Sequence, residues 1–288
     1  MLIAGAVACF AILDGVIKTL AVKHPVALLV WARWGLQVVA MLIWLAPTMG
    51  ASMVHTRQLP MQLIRGVLLL VSSLCFMTAL KYLPLADATA INYTTPTIVI
   101  LLAVAFLGER MTRSRMAFVL AGLAGMLMIV QPGAEMMKGA SVFALGSAVC
   151  YAFYQITTRM LAGEDPRVTL FYPALIGAMI MTVVWPWFGS QIELSWGDLA
   201  LLCLIGVLGT IGHFMFILAF QRAPASALTP FTYLQLVFAT IIGWLFYNNF
   251  PDALTLAGMG LIAGSGLLLT WHERRRALLA PAEPTAID

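Results

Sequence analysis

The chain carries little charge. Only 10% of its 288 residues are Asp, Glu, Lys or Arg, whereas 62% are hydrophobic, and the mean hydropathy is +0.96. A soluble domain carries about 25% charged residues, so this composition excludes a soluble globular protein. The connections between apolar runs are short, the longest being 47–60, and leave no room for an extramembrane domain. The sequence therefore indicates a polytopic membrane protein.

Cysteine patterns and catalytic motifs are missing as well. Cys9, Cys75, Cys150 and Cys203 lie inside apolar runs without CxxC spacing, which indicates neither a disulfide framework nor a zinc site. There is no HExxH, GxSxG or P-loop motif, and few ionisable residues are present for acid–base chemistry. We therefore expect no enzymatic activity, no metal, no cofactor and no nucleic-acid partner. The expected partners are the lipid bilayer and a small-molecule substrate.

Apolar runs long enough to cross a bilayer are separated by charged residues or by Pro and Gly. A membrane-spanning helix needs about 20 mostly apolar residues. The sequence predicts an all-α integral membrane protein with ten transmembrane helices, at 2–22, 26–46, 61–80, 85–107, 115–131, 139–160, 168–188, 197–220, 225–247 and 253–271.

An internal repeat relates the two halves of the chain. At a shift of 141 or 140 residues, the aligned pairs include Cys9 with Cys150, Asp14 with Gln155, Lys18 with Arg159, Pro84 with Pro224 and Tyr93 with Tyr233. Because each half has an odd number of helices, the second half must enter the membrane inverted. Inverted repeats are typical of transporters, with the substrate site where the halves meet. We expect one five-helix repeat at 1–138, its inverted partner at 139–271, and a disordered cytoplasmic tail at 272–288.

Basic residues predict the orientation in the membrane. One side, which holds both termini, collects Arg57, Arg110, Arg113, Arg115, Arg159, Arg167, Arg222, Arg274, Arg275 and Arg276, and the other side has only Lys18, Lys23, Lys81 and Lys138. By the positive-inside rule, both termini are expected in the cytoplasm. The predicted location is the inner (plasma) membrane.

Two spans carry polar residues and a proline in their interior. In the segment 84–109, Pro96 cannot donate to the carbonyl of Asn92, so the helix can bend there. The second copy, from residue 224, has Pro230 early and Thr232 and Tyr233 nearby. Polar groups inside a membrane must face protein or a water-filled cavity. We predict hinges at Pro96 and Pro230.

Two ionisable residues lie near the middle of the first two spans. Asp14 and Arg33 are predicted at similar depth, approached from opposite sides. They could offer complementary charges to a small zwitterion, or Asp14 could take and release a proton. The alternative is a structural pair of Asp14 with Lys18 or with Arg33. Arg65, near the start of its span, is expected to snorkel to the surface and has no assigned role.

His213 lies beside a glycine stripe at Gly206, Gly209 and Gly212, a pattern that favours close helix packing. It is a candidate cavity residue, with a hydrogen-bonded structural role as the alternative. Gly260 and Gly264 form a GxxxG motif suited to contact between the halves or between two copies, although a monomer is favoured over a dimer.

Aromatic and hydroxyl side chains predict a cavity wall. Tyr151, Tyr154, Gln155 and Thr158 recur at helical spacing, which makes one face of the sixth span polar and aromatic. Core packing or an interfacial belt is the alternative for part of the aromatic set. The other predicted cavity residues, besides Asp14, Arg33 and His213, are Phe76, Asn92, Tyr93, Thr95, Phe216, Thr232 and Tyr233.

The repeat and the segment LPLADAT…PTIVILLAVAFLGER, which ends at Arg110, resemble the drug/metabolite transporter superfamily in its EamA-type ten-helix branch. Within it the chain looks most like bacterial amino-acid exporters of the YddG type. The resemblance implies a basket of helices around a central cavity and carries over to Pro96 and Glu109. The equivalent positions in the second half are Leu236 and Asn249, so a symmetric role for Glu109 is not expected. Glu109 is expected to pair with a neighbouring arginine.

The predicted function is export of small amphipathic metabolites, amino acids including aromatic ones first among them, by alternating access. Protons are a candidate coupling partner. Spans four, six, eight and nine hold no internal cations for phosphorylated substrates. The alternatives are a proton-coupled exporter of drugs or organic cations, with tyrosines making cation–π contacts, and a passive channel.

Overall fold

Helices account for the regular structure of this protein. The computed structural model describes residues 1–108, 111–131, 135–161, 163–184, 187, 193–222 and 231–279, and those ranges contain no strand. The helices are α1 (Leu2–Lys23), α2 (Val26–Met49), α3 (Leu59–Tyr82), α4 (Leu85–Asn92), α5 (Thr95–Leu107), α6 (Arg113–Val130), α7 (Glu135–Met160), α8 (Pro166–Val184), α9 (Trp196–Arg222), α10 (Leu234–Tyr247) and α11 (Ala253–Leu279), with a 3-10 helix at Gly50–Val54.

The helices confirm the predicted membrane class. Within the described ranges, nine helical segments are long and apolar enough to cross a bilayer, with α4 and α5 counted as one span, and α10 is a shorter apolar helix. Helix α11 continues through residues 272–279, which the sequence analysis assigned to a disordered tail. Leucine, alanine and arginine in this stretch favour helix, which accounts for the longer element. Residues 280–288 lie outside the described ranges.

The fourth span is broken where the sequence predicts a bend. Helix α4 ends at Asn92 and α5 begins at Thr95, with Pro96 in its first turn. Because Pro96 has no N–H, the carbonyl of Asn92 lacks its helical donor. The hydroxyl of Thr95 donates to that carbonyl at 2.7 Å, and the hydroxyl of Thr94 donates to the Ile91 carbonyl at 2.8 Å. Side chains next to the break therefore satisfy the backbone groups that the break releases.

Helix packing follows the symmetry of an inverted repeat. Helix α1 packs against α9, and its repeat equivalent α7 packs against α3. The pair α2 with α9 is matched in the same way by α8 with α3, and the pair α1 with α10 by α7 with α4 and α5. Helix α2 also packs against its own repeat equivalent, α8, and α6 packs against its repeat equivalent, α11. The two halves are thus interleaved, and α1, α4, α7 and α10 meet at their junction.

The glycine stripe of α9 brings α9 against α1 and α2. Gly206 lies against Leu36 of α2, Gly209 against Leu13, and Gly212 against Phe10. A side chain at Gly206 or Gly212 would collide with these neighbours, so the predicted close packing is confirmed. The predicted use of Gly260 and Gly264 between the halves is wrong, since both face open space within the described structure.

The contact between α6 and α11 depends instead on Gly125 and Gly258. A Cβ added at Gly258 would meet the carbonyl oxygen of Gly125 at 2.7 Å and Ile129 at 2.8 Å. We expect Gly258→Ala to destabilise the protein by about 1–3 kcal/mol, because a backbone oxygen cannot move aside as a flexible side chain can. Thermal unfolding in detergent measures this.

Gly260→Ala is the matched control in the same helix. Nothing lies within 4 Å of the Cβ it would add. It should leave the melting temperature unchanged or slightly raised, because alanine favours helix over glycine by about 1 kcal/mol. Equal effects of the two substitutions would contradict the assignment of this contact to Gly258.

Asp252 caps the last helix on the side of the membrane opposite the termini. Its carboxylate accepts hydrogen bonds from the Gln131 amide at 2.8 Å and from the backbone N–H of Thr255 at 2.7 Å. These bonds favour the ionised form and hold the pKa of Asp252 below its ordinary value. The cap fixes the start of α11 next to the end of α6.

Candidate functional site

The two interrupted spans cross at Tyr93. The hydroxyl of Tyr93, at the end of α4, lies 2.6 Å from the backbone carbonyl of Thr232 and 3.2 Å from the side-chain oxygen of Gln235, at the start of α10. The rings of Tyr93 and Tyr233 are 5.5 Å apart. A displacement of either broken helix therefore changes the contacts of the other.

Asp14 is joined to this crossing point. It is buried on α1, and its carboxylate accepts a hydrogen bond of 3.1 Å from the amide of Gln235. The amide of Gln235 thus connects the Tyr93 hydroxyl to the Asp14 carboxylate. Gln235 was absent from the predicted cavity residues. Its polarity within an apolar span was the available signal, because such a group needs an internal partner.

The predicted structural pairing of Asp14 is not formed. The ammonium of Lys18 donates instead to the carbonyls of Leu80 and Leu83, at 3.0 and 2.6 Å. Within the described residues Asp14 has no ion pair with Arg33 either, although the two charges are close enough to interact electrostatically. The i,i+4 spacing favoured a pair with Lys18, but the carbonyls at the end of α3 offer that ammonium two acceptors.

Arg33 lies deep in the protein and has no hydrogen-bond partner among the described residues. Its Nε atom is buried and unpaired, and its guanidinium carbon lies 5.1 Å from the ring of the neighbouring Trp34. The side chain nevertheless keeps some accessible surface, as do those of Tyr151 and His213, which are equally deep. Because polar groups inside a membrane must face protein or a water-filled cavity, we infer that this surface faces an internal space. We call the space bordered by Asp14, Arg33, Tyr151 and His213 the central chamber.

His213 also lacks a hydrogen bond to any residue in the described part of the chain. Its Nε2 atom is buried without a partner, and its ring meets Phe10 edge-on, with the centroids 4.9 Å apart. The ring centroids of Phe10 and Phe216 are 6.4 Å apart, and Phe216 packs beside Ile3. The alternative of a hydrogen-bonded structural histidine does not describe this residue. Phe10 stands one turn before Asp14 on α1 and was missed as a candidate.

The polar face of α7 divides into two parts. Tyr151 and Tyr154 are stacked, with centroids 5.6 Å apart, and Gln155 is half-buried beside them along the helix. The hydroxyl of Thr158 donates to the Tyr154 carbonyl at 2.6 Å and accepts from Arg65. Thr158 is therefore engaged with protein groups rather than open to a ligand.

Arg65 does not snorkel. Only 1% of it is exposed, and it donates to the Thr158 hydroxyl at 3.0 Å, to the Gln62 side-chain oxygen at 2.8 Å and to the Thr169 carbonyl at 3.1 Å. Its guanidinium carbon lies 4.8 Å from the ring centre of Tyr154. Arg65 thus joins α3 to α7 and α8. These internal acceptors, invisible in the local sequence, hold the guanidinium inside the protein.

Several other predicted cavity residues serve the framework. Thr95 is buried, and its hydroxyl faces the carbonyls of Asn92 and Ala148. Tyr233 is buried with its hydroxyl against Gly266 of α11. The remaining placements are Phe76, half-buried against the main core, Asn92, half-buried with its side-chain oxygen unpaired, and Thr232, half-buried at the crossing point.

Of the two predicted hinges, Pro96 lies within the described residues and Pro230 does not. Pro96 is half-buried at the break between α4 and α5. Pro230 and Glu109 lie outside the described residues, so their roles stay predictions.

Helix α1 closes one end of the bundle. We call the membrane side with Met1 and the end of α11 the terminal side, and the opposite side the far side. On the far side, α1 packs against α3 and α4. The equivalent positions on the terminal side, at 223–230, lie outside the described ranges. The contacts of α1 therefore hold the far side together.

Two inverted halves, broken helices that cross at their junction and unpaired polar groups inside a bilayer-spanning bundle define a membrane transporter. The chain belongs to the EamA-like transporter family, whose model matches residues 1–131 and 138–271. This confirms the resemblance to the drug/metabolite transporter superfamily, and the chain is a multi-pass membrane protein.

Characterised relatives carry different metabolites. The chain is 29% identical to the pseudopaline exporter CntI of Pseudomonas aeruginosa (strain UCBPP-PA14), over 91% of this chain and 92% of that protein. It is 28% identical to an S-adenosylmethionine uptake transporter of Rickettsia conorii, over 78% and 76%, and 28% identical to a riboflavin transporter of Rhizobium johnstonii, over 79% and 76%. A crystal structure with 19% sequence identity superposes with a TM-score of 0.68 over 95% of this chain and 97% of that one, which shows the fold.

Proposed function

We propose that this protein exports small amphipathic metabolites, amino acids including aromatic ones first among them, by alternating access across the bacterial inner membrane. The observation that carries the proposal is the arrangement of Asp14 and Arg33. They are opposite charges in the central chamber, close enough to interact and not paired with each other. A zwitterion is a ligand that can satisfy both at once.

The chamber also suits an apolar or aromatic side chain. Phe10 contacts the ring of His213, and Tyr93 and Tyr151 lie near enough to Asp14 and Arg33 to interact with their charges. Aromatic rings accept both apolar groups and other rings. A site with one anion, one cation and several aromatic faces matches a substrate with little net charge. Phosphorylated substrates would need more cations than Arg33 alone supplies.

The crossing of the two broken helices supports alternating access. A substrate bound at Asp14 competes for the carboxylate that Gln235 contacts, and Gln235 and Tyr93 lie where the two broken helices cross. Binding can thus bias both helices together.

Uptake into proteoliposomes of a labelled amino-acid panel tests the proposal, with and without a pH gradient. Saturable transport of one or more amino acids is expected. Asp14→Asn should reduce it at least about tenfold, because the amino group loses a charged partner. Asp165→Asn, at an exposed carboxylate paired with Arg167, is the control and should transport normally. Failure of every amino acid to move or compete would reject the proposal, and flux without saturation would indicate a channel.

A second candidate is a proton-coupled exporter of drugs or organic cations. The observation that favours it is the proximity of the Asp14 charge to Tyr93, since a carboxylate beside an aromatic ring can bind a cation. The relatives' substrates and quaternary amines are added to the labelled amino-acid panel. This panel then distinguishes amino-acid export from export of organic cations. Transport of the amines without transport of amino acids would favour the second.

A further inference from the structure

We infer that Arg33 and His213 form an anion subsite in the central chamber that binds the carboxylate of the substrate. The inference rests on the proposed function and names the group that this part of the chamber recognises. It also makes a carboxylate a requirement for tight binding, so a simple organic amine would be a poor ligand.

Arg33 supplies the charge of the subsite. Its guanidinium has five N–H donors; Nε is buried without a partner, and none of the five donates to another residue within the described ranges. Elsewhere in the same bundle, the buried guanidinium of Arg65 has three acceptors and an aromatic ring. An unpaired guanidinium inside a membrane protein is unfavourable, because the cation has left bulk water without gaining a partner. The chamber therefore leaves a position for an anion at Arg33.

His213 supplies a second unpaired group beside that position. Nε2 is buried without a hydrogen-bond partner, and neither ring nitrogen bonds to another of the residues that the structure describes. The ring is held by its edge contact with Phe10, and the charge of Arg33 is close enough to act on it. Gly206 and Gly212 allow α9 to approach α2 and α1, which places His213 beside them. A neutral imidazole can donate one hydrogen bond to an anion that Arg33 holds.

A carboxylate fits these donors better than other small groups do. Its two oxygens match the parallel N–H donors of a guanidinium, and charge-assisted bonds of this kind are strong inside a protein. Asp14 cannot take this role, because its carboxylate is turned to Gln235 and makes no ion pair with Arg33 among the described residues. The amino group then lies toward Asp14 and the carboxylate toward Arg33 and His213.

Three related compounds test the subsite in the purified full-length protein. Phenylalanine carries both groups, 3-phenylpropionate lacks the amino group, and phenethylamine lacks the carboxylate. Affinities are measured by calorimetry in detergent for the wild type, Arg33→Gln, Arg33→Lys, His213→Gln and the control Arg167→Gln. The control changes an exposed arginine paired with Asp165.

The wild type and the control should bind both carboxylates more tightly than phenethylamine. Arg33→Gln should weaken both carboxylates about 30-fold or more, and His213→Gln roughly tenfold, with phenethylamine little changed. Arg33→Lys should recover part of the loss, because it keeps the charge without the paired donors. If Arg33→Gln does not fold, Arg33→Lys takes its place in the test.

Absence of carboxylate binding by the wild type would overturn the inference. Equal weakening of all three compounds by Arg33→Gln and Arg33→Lys would also overturn it. The proteoliposome assay separates the subsite from the proposed function. Transport of amino acids that is unchanged in Arg33→Gln rejects the subsite and leaves the proposed function standing. Carboxylate binding that depends on Arg33, without transport of any amino acid, retains the subsite and rejects the export of amino acids.

Discussion

Arg65→Gln is expected to lower the melting temperature of the detergent-solubilised protein by roughly 10 °C. Arg65 is buried and donates to groups on its own helix α3, on α7 and on α8. Removing one partner from a buried charged network typically costs about 3–5 kcal/mol. A destabilisation of 1 kcal/mol moves the melting temperature of a chain this large by about 2–4 °C.

The loss has two physical sources. The Gln62 side-chain oxygen, the Thr158 hydroxyl and the Thr169 carbonyl lose their charged donor inside the bundle, where water does not replace it. The ring of Tyr154 also loses the guanidinium that lies 4.8 Å from it. A glutamine is too short to reach all of these acceptors.

Arg57→Gln is the control for Arg65→Gln. Arg57 precedes the same helix but is exposed, and its recorded contact uses the backbone N–H, which the substitution retains. Its melting temperature should stay within about 2 °C of the wild type. If Arg65→Gln behaves like Arg57→Gln, the three recorded hydrogen bonds do not stabilise the protein.

The spans and the break at Pro96 could be predicted because their causes are local. A bilayer requires about 20 apolar residues in a helix, and a proline removes one N–H at a known position. The repeat was visible for a similar reason, since equivalent helices keep equivalent residues such as Tyr93 and Tyr233 at a fixed shift. The paired contacts of α1 with α9 and α7 with α3 fit that reading.

The partners of the polar residues could not be predicted, because they are distant in sequence. Asp14 contacts Gln235, 221 residues later, and Arg65 contacts Thr158, 93 residues later. Spacing along one helix instead suggested Lys18 for Asp14 and a snorkelling Arg65. Which polar residue is satisfied by protein and which is left for a ligand depends on these long-range contacts. For this reason the sequence predicted Thr158, Thr95, Arg33 and His213 alike as cavity residues. Only the structure separates the two threonines, which bond to protein groups, from Arg33 and His213, which have no partner among the described residues.

Lys18→Met is expected to shift the transporter toward a conformation that is open on the far side. The ammonium of Lys18 on α1 donates to the Leu80 and Leu83 carbonyls at the end of α3, and it lies 5.6 Å from the ring centre of Tyr247 at the end of α10. The hydroxyl of Tyr247 in turn donates to the Gly15 carbonyl at 2.6 Å. Lys18 therefore holds α1 and α3 together on the far side.

Spin labels at Val22 and Tyr82, in a variant without the four cysteines, measure the separation of α1 and α3 on the far side. Both side chains are exposed at the ends of their helices. Lys18→Met should lengthen the mean distance and add a second, longer population. Lys81→Met is the control, since Lys81 is in the last turn of α3 and its recorded contact is with the neighbouring Tyr82 ring. An unchanged distance distribution in Lys18→Met would contradict the role of Lys18 in closing the far side.

The size of this shift follows from what the two conformations offer the ammonium. In the closed state Lys18 has two carbonyl acceptors and the nearby charge of Asp87, and hydrogen bonds to charged groups contribute about 1.5–3 kcal/mol each. When α1 and α3 separate, water molecules replace the two carbonyl acceptors of the ammonium. Methionine keeps the apolar stem of the side chain but makes no hydrogen bonds to these carbonyls. The closed state therefore loses its extra stabilisation, and the ratio of open to closed states should rise on the order of 10²-fold. A transporter must visit both states in each cycle, so a bias this large should also slow saturable transport, although Lys18 lies outside the central chamber.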